Sequence, residues 1–241
     1  MKIKENPHLT QDDIARVYNE LFKKQGQLRD SDAYYHWVLD RLAPATGTSL
    51  LDVACGEGML VWAARKRGVN GIGIDLSSLG TMLAHMRIGA SLVSIANGEF
   101  LPFADQSFDY VTNTGSLEHF LNPLAGVKEM IRVLKPNGQA LLVLPNSYYL
   151  VDIIWQVWRT GYSPSHKQPL ERFASFREWW DFLENGGLRI IKAYKYNFCF
   201  PRSKADWLWY RQHPKKILNL CLAPFIPFNF SNHFLYLCSR S

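Results

Sequence analysis

The sequence predicts an α/β fold in which helices cover both faces of a seven-stranded, mostly parallel sheet. Short apolar segments of the length of buried strands alternate with segments whose apolar residues recur at helical spacing. The last apolar segment follows a long insertion, and we expect it to run antiparallel to its neighbours. The predicted strands are 49–54, 71–74, 91–96, 108–113, 139–144, 188–197 and 233–239.

The predicted helices begin at residues with known capping preferences. Thr10 suits the N-cap of the first helix, Asp30 or Ser31 that of the second, and Ser175 that of the last. Pro123 falls in the first turn of another helix, where the missing N–H would have no helical partner. A tight turn is expected at 135–138. The predicted helices are 9–24, 30–42, 59–67, 80–87, 122–134, 150–159 and 176–184.

The stretch 49–77 organises the rest of the chain. It reads as strand, glycine turn, helix and strand, with Asp52 near the end of the first strand and Asp75 at the end of the second. A helix that starts just after a glycine turn directs free N–H groups and a positive dipole end towards a ligand. Glycines let that ligand approach the backbone. An acidic residue after the second strand can accept both hydroxyls of a ribose, so the stretch predicts a nucleoside cofactor site.

The residues of stretch 49–77 also indicate which kind of nucleoside cofactor binds there, and they do not favour a dinucleotide. The dinucleotide fingerprint G-x-G-x-x-G would start at Gly56 and Gly58, but its third position holds Val61. Asp52 places an anion where a pyrophosphate would lie, and this suits the ammonium or sulfonium of S-adenosyl-L-methionine. The run Asp52-Val-Ala-Cys-Gly56-Glu-Gly58 resembles the first motif, D-x-x-x-G-x-G, of class I S-adenosylmethionine-dependent methyltransferases of the small-molecule, UbiE-like type.

Later segments match the same family in order. Asn97-Gly98-Glu99 leads into Leu-Pro-Phe, Leu117-Glu118-His119 ends a strand-to-helix turn, and L-K-P-x-G precedes the fifth strand. The resemblance covers about residues 50–145 and implies a Rossmann-like fold. It also implies that S-adenosyl-L-methionine is the cofactor and S-adenosyl-L-homocysteine the product. The residues expected to contact the cofactor are Tyr18, Asp52, Ala54, Gly56, Gly58, Asp75, Leu76, Asn97, Gly98, Glu99, Thr114 and Gly115.

The match to the family fades beyond residue 145, and we expect the residues that bind the methyl acceptor to lie there. Residues 146–167 are rich in aromatics that could wall an apolar pocket or pack a helix on the sheet. We expect a small, partly apolar acceptor: a lipid or quinone precursor, a sugar or a secondary metabolite, methylated at oxygen. His166 and His119 are the candidate general bases, although each could equally be a structural loop residue. The expected acceptor contacts are Tyr148, Trp158, Tyr162 and Arg172.

The charge is unevenly distributed. Residues 146–241 hold 13 Lys and Arg against 6 Asp and Glu, so the whole basic excess lies in this part. An anionic acceptor, a membrane surface and a solvated face are all open interpretations. Residues 202–230 combine basic side chains with a short, proline-broken apolar run, and could cover the acceptor pocket, form a homodimer or lie on a membrane. No nucleic-acid-binding pattern is present.

Composition sets the remaining expectations. The 241 residues suffice for one α/β domain, and the four cysteines follow neither a disulfide nor a metal-site pattern. The first residues lack an apolar signal segment, so a cytoplasmic protein is expected. A nicotinamide-dependent oxidoreductase and a non-catalytic scaffold remain alternatives, which cofactor binding would distinguish. The expected layout within residues 1–241 is a helical cap at 1–45, a cofactor core at 46–145 and acceptor-side insertions at 146–170 and 198–232.

Overall fold

A computed structural model describes residues 2–3, 9–25, 28, 30–164, 170 and 172–241. Within these residues, seven strands form one sheet in the order β3-β2-β1-β4-β5-β7-β6. All neighbours are parallel except β7, which runs antiparallel to β5 and β6. The predicted fold class is confirmed. The strands are β1 (Ser49–Val53), β2 (Asn70–Asp75), β3 (Val93–Ile95), β4 (Phe108–Thr114), β5 (Leu134–Pro145), β6 (Leu188–Tyr196) and β7 (His233–Arg240).

Helices flank the sheet, and a separate two-stranded pairing joins Lys2–Ile3 to Arg172–Phe173. The described α-helices are α1 (Gln11–Gln25), α2 (Asp32–Leu42), α3 (Met59–Lys66), α4 (Ser78–Ile88), α5 (Pro123–Val133), α6 (Trp155–Thr160), α7 (Phe176–Asn185), α8 (Lys204–Gln212) and α9 (Pro214–Leu222). Single 3-10 turns occur at Ala90–Leu92, Leu117–His119, Ala223–Phe225 and Phe228–Phe230.

Alternate residues of the central strands pack on opposite faces of the sheet. Leu51 and Val53 of β1 belong to a core that includes residues of α5 and α7. Leu50 belongs to a second core with residues of α2 and α3. This alternation follows from the two-residue repeat of a strand, so both faces of β1 are buried. The parallel register sets Asp52 beside Gly73 of β2 and Thr112 of β4, and the strands therefore end at one common edge.

Two segments differ from the predicted elements. Residues 135–138 lie inside β5, where the register with β4 shifts between the pairs Phe108–Leu134 and Tyr110–Gln139. The strand therefore begins at Leu134, five residues before the predicted start, and the expected turn at 135–138 coincides with this shift in register. The helix predicted at 150–159 begins as a π-helix over Leu150–Ile154 and becomes α-helical in α6. Hydrophobic spacing does not distinguish these two helix types over so few residues.

The predicted caps are confirmed at two of three helices. Thr10 accepts a hydrogen bond from Asp13 N, and Ser175 forms a capping box with Glu178. At α2, Ser31 is the N-cap residue but makes no side-chain cap bond. Asp206 of α8 accepts from Ala33 N at 2.8 Å instead, so a residue far along the chain caps this helix.

The insertion at 198–232 packs against α2 through this buried carboxylate. Asp206 is 1% exposed and also accepts from the backbone N–H groups of Arg202 and Ser203. The outer side of α8 and α9 exposes Trp207, Leu208 and Leu218. No helix in the described part of the chain is long and apolar enough to cross a bilayer.

Replacing Asp206 tests whether this long-range cap stabilises the fold. We expect Asp206→Ala to lower the free energy of unfolding by about 2–3 kcal/mol, because several buried N–H groups lose their acceptor. Urea denaturation followed by circular dichroism measures the change. Asp181→Ala, at an exposed aspartate of α7, is the control and should change stability by less than about 0.5 kcal/mol. Equal stability of both variants would contradict the role given to Asp206.

Candidate active site

A cavity of about 340 Å³ lies where β1, β2, β3 and β4 end. Ligands of open α/β sheets bind at this edge. Side chains or backbone from each of these strand ends line the cavity, and one face of α1 covers it. Every residue expected to contact the cofactor lines this cavity except Gly58.

The glycine turn forms one wall. Ala54 and Gly56 line the cavity, and both have positive φ, at 60° and 53°. Gly58 also has positive φ, at 71°, but a Cβ there would lie only 3.0 Å from Ile88 Cδ1 and 3.2 Å from Ala84 Cβ. Gly58 is therefore small because α3 and α4 pack closely at this point. Gly58 does not line the cavity, and its predicted contact with a cofactor stays a prediction.

Two carboxylates lie at the strand ends beside the turn. Asp75 accepts from Gly56 N and Ser77 N, each at 2.7 Å, which fixes the turn to the end of β2. Burial raises the pKa of the Asp75 carboxyl, and these two hydrogen bonds oppose the shift. Each of its oxygens keeps a lone pair for a ligand hydroxyl. Leu76 lines the cavity beside it.

Asp52 is the second carboxylate, and it is almost fully buried. Its Oδ1 accepts from Thr112 Oγ1 at 2.7 Å. Burial raises the pKa of Asp52 to about 7, with a further increase from the nearby negative charge of Asp75. An anion held in so little water favours a cationic ligand group over an anionic one.

The loop after β3 supplies a third wall. Asn97 Oδ1 accepts from Glu99 N at 2.9 Å, and Asn97, Gly98 and Glu99 all line the cavity. A Cβ on Gly98 would lie 2.5 Å from Phe120 Cζ, so no other residue fits without movement. Glu99 Oε1 accepts from Gln11 Nε2 at 2.9 Å, and this bond joins the loop to α1.

Helix α1 closes the cavity. Gln11, Ile14, Tyr18 and Phe22 share one helix face and all line the cavity. Asn19 Oδ1 accepts from Ser77 Oγ at 2.7 Å, and also from Leu79 N, so α1 is attached to the first turn of α4. Phe22 is buried. The helix covers the ligand cavity and is held at both sides by polar contacts.

The end of β4 completes the site. Thr114 and Gly115 line the cavity, followed by Ser116 and His119 from the 3-10 turn. His119 Nδ1 lies 2.6 Å from the carbonyl oxygen of Leu170. A carbonyl only accepts, so Nδ1 carries the proton and the other ring nitrogen, Nε2, is the basic one in the neutral ring.

The expected acceptor contacts lie elsewhere. Tyr148, Trp158 and Tyr162 are exposed at 54%, 75% and 76%, and none lines the cavity. Arg172 is buried and donates to the carbonyl oxygens of Glu118, Phe120 and Leu121, which holds the loop after His119. His166 lies outside the described residues. The acceptor roles predicted for these residues stay predictions.

Sequence reasoning missed several cavity residues because their signals are not local. The polar contacts of Gln11 and Asn19 with Glu99 and Ser77 span dozens of residues along the chain. Glu57 also lines the cavity and accepts from Leu28 N, 29 residues earlier in the chain. For the residues of α1, the sequence offers one signal. Residues 11, 14, 18 and 22 recur at helical spacing, which predicts that they share one helix face but does not indicate what that face covers.

The chain resembles known proteins over this same region. A family model described as a methyltransferase domain matches residues 51–142. A demethylmenaquinone methyltransferase of Corynebacterium kroppenstedtii is 37% identical over 99 residues, which are 41% of this chain and 42% of that protein. A ubiquinone biosynthesis O-methyltransferase of Acinetobacter baumannii is 27% identical over 186 residues, which are 72% of this chain and 76% of that protein. The first of these matches therefore spans less than half of the relative.

Solved structures agree with the fold. The geranyl diphosphate C-methyltransferase of Streptomyces coelicolor, solved with S-adenosyl-L-homocysteine, superposes with a TM-score of 0.67 and 15% sequence identity over 98% of this chain and 100% of that one. At that identity the likeness concerns the fold alone. Residues 51–142, which match the methyltransferase-domain model, carry the D-x-x-x-G-x-G turn and the strands whose ends line the first cavity.

Proposed function

We propose that the cavity at the ends of β1 to β4 binds S-adenosyl-L-methionine and that the chain transfers its methyl group to an oxygen of a small molecule. The observation that carries this proposal is the meeting of both carboxylates, the glycine turn and the Asn97–Glu99 loop around one cavity. Its volume of about 340 Å³ lies in the range of small-molecule sites. The family's cofactor and the chemistry of these side chains agree.

Each wall has a proposed role toward the cofactor. Asp75 accepts from the ribose hydroxyls with its remaining lone pairs. Asn97 accepts from the adenine amine, and Gly98 gives the base close access to the backbone. Asp52 faces the positive charge of the methionine part, which the backbone of Thr114 and Gly115 also supports. Gly58 acts indirectly, by letting α3 and α4 pack.

Helix α1 completes the proposed binding site. Tyr18 projects from α1 into the cavity, and Glu99 links that helix to the adenine loop. When bound, the cofactor supplies a methyl group on a positively charged sulfur, which keeps the bonding electron pair when the methyl leaves. The remaining work of the protein is to exclude water, align the acceptor and take up a proton.

His119 is the proposed general base. Its Nδ1–H is held by the Leu170 carbonyl, and this fixes the ring so that Nε2 carries the lone pair. His119 lines the cofactor cavity, as a base acting beside a transferred methyl must. The acceptor hydroxyl gives its proton to Nε2 while its oxygen forms the bond to the methyl carbon. His166, the other candidate, lies outside the described residues.

The acceptor is proposed to be a small, partly apolar hydroxyl compound, such as a quinone precursor, a sugar or a secondary metabolite. The ubiquinone biosynthesis O-methyltransferase among the relatives supports oxygen as the methylated atom. Neither the oxidoreductase nor the scaffold alternative gains support from the comparisons. Membrane contact or dimerisation through 202–230, the absence of nucleic-acid binding, the cytoplasmic location and the division of residues 1–241 stay predictions.

Binding of the reaction product tests the proposed cofactor site directly. We expect the chain to bind S-adenosyl-L-homocysteine in calorimetric titration, and Asp75→Asn to weaken that binding by about 10- to 100-fold, because charged hydrogen bonds to the ribose are lost. Asp181→Asn, at an exposed aspartate, is the matched control and should bind like the wild type. Binding of NADH in place of S-adenosyl-L-homocysteine would contradict the proposal and favour an oxidoreductase.

Asp52 gives the cofactor affinity a predicted pH dependence. The Asp52 carboxyl has a raised pKa of about 7, and a positively charged ligand favours its ionised form. Binding therefore releases a proton below that pH, and affinity should rise by up to about tenfold per pH unit as the pH approaches 7 from below. Calorimetry in two buffers of different ionisation enthalpy measures the proton release. In Asp52→Asn the dependence should flatten, and an affinity that falls with rising pH would refute the assignment.

His119 is tested by rate and binding together. We expect His119→Gln to lower the rate of methyl transfer to catechol, used as a probe acceptor, by about 100- to 10,000-fold, because no base remains. Binding of S-adenosyl-L-homocysteine should change by less than about threefold, since glutamine keeps a similar shape. The wild-type rate should rise with pH as the imidazole loses its proton, and the variant should lack this rise. A variant that turns over at the wild-type rate would exclude His119 as the base.

A further inference from the structure

A second cavity of about 140 Å³ lies next to the first. It is formed where β5 ends and β7 begins, under the π-helix over Leu150–Ile154. Pro145, Ile153 and Phe173 give it apolar walls. His119 lines both cavities, so the smaller one opens beside the proposed base.

Two buried polar groups of this second cavity lack hydrogen-bond partners within the described part of the chain. They are Oε2 of Glu118 and the hydroxyl of Tyr149. Glu118 is 4% exposed and Tyr149 6% exposed. Buried polar atoms are almost always hydrogen-bonded, and an unsatisfied one costs about 1–3 kcal/mol. Two such groups around one cavity indicate that their partners come from a bound molecule.

Glu118 also connects the two cavities. Its Oε1 lies 3.6 Å from His119 Nε2. The same oxygen is close to Gly115, which lines the first cavity: a Cβ built on Gly115 would lie 3.9 Å from it. One carboxyl group thus lies between the proposed base and the end of β4. A ligand that reaches Glu118 from the second cavity would present its polar groups beside His119.

We propose that the second cavity is the acceptor pocket and that it takes a neutral hydroxylated six-membered ring, whose hydroxyl groups bond to Glu118 and Tyr149. This inference rests on the proposed function, because it places the acceptor of the same reaction. It assigns recognition of the acceptor to Glu118 of the Leu117-Glu118-His119 segment and to the buried Tyr149.

Size supports a single ring. An apolar protein cavity of about 150 Å³ accommodates benzene. The second cavity is of similar volume, at about 140 Å³. It therefore admits one ring with small substituents, and a longer acceptor would extend beyond it.

Charge supports a neutral ring. The ionisable side chains that line the second cavity are Glu118, Asp152, His119, His233 and Tyr149, with no Lys or Arg from the described residues among them. Burial raises the pKa of Glu118 to about 8, so its surroundings disfavour negative charge. A carboxylate or phosphate here would lie beside Glu118 and Asp152, and no Lys or Arg of the described residues lines the cavity to compensate its charge.

The test measures binding of probe rings to the full chain saturated with S-adenosyl-L-homocysteine. Catechol represents phenols, methyl glucoside represents sugars, and benzoate is an anionic ring of similar size. We expect at least one hydroxylated probe to bind, and Tyr149→Phe to weaken it by roughly 3- to 10-fold, as the loss of one hydrogen bond does. Glu118→Gln should weaken it to a similar degree. Ligand-observed nuclear magnetic resonance gives the affinities. The probe that binds, catechol or methyl glucoside, shows whether the acceptor ring is a phenol or a sugar.

Matched controls separate recognition from folding. Tyr194→Phe and Glu184→Gln change the same atoms at sites outside both cavities and should leave probe binding unchanged. Tyr149→Phe removes a hydroxyl that has no hydrogen-bond partner among the described residues, so the melting temperature should stay the same or rise. Unchanged probe affinity in Tyr149→Phe and Glu118→Gln, or benzoate binding as tight as that of catechol, would overturn the inference. Failure of both hydroxylated probes while S-adenosyl-L-homocysteine still binds would also overturn it and leave the cofactor proposal intact. Failure of S-adenosyl-L-homocysteine itself would refute the cofactor proposal first.

Discussion

The hydrogen bonds of Asp75 hold the site together. Its carboxylate accepts from Gly56 in the glycine turn and from Ser77 at the start of α4, so one side chain fixes two loops that parallel strands bring to the same edge. The turn can take this path because Gly56 has positive φ. The backbone of the turn, at residues 54–56, lines the cavity and can contact a ligand there.

A second layer of long-range polar contacts assembles the cover. Gln11 bonds to Glu99 and Asn19 bonds to Ser77, which places α1 across the mouth of the cavity. Asp206 similarly ties the insertion at 198–232 to the first turn of α2. The Gln11 amide donates to the Glu99 carboxylate, whereas Asn19 accepts from a hydroxyl and Asp206 from a backbone N–H. Segments that are distant along the chain are thereby attached to the sheet.

The two cavities divide the proposed reaction between different parts of the fold. The first is built from the ends of β1 to β4, where the family resemblance is dense, and the second from the end of β5, the start of β7 and the π-helix. His119 belongs to both, because the 3-10 turn after β4 lies between them. In the proposed division, the cofactor side lies within the matched residues 51–142, and most of the acceptor side lies beyond residue 145. This explains why motif reasoning stops at the cofactor.

The sequence alone determined the sheet, its strand types and the first cavity. Local signals suffice there, since Asp52, Gly56 and Asp75 act within one strand-turn-helix-strand unit. It could not place the acceptor side, where Tyr148, Trp158 and Tyr162 point into solvent and Arg172 holds a loop. The tertiary structure alone brought Glu118 and Tyr149 to one cavity and Asp206 to α2. Those pairings join residues tens to hundreds of positions apart, and no periodicity or propensity encodes them, because they follow from how whole elements pack.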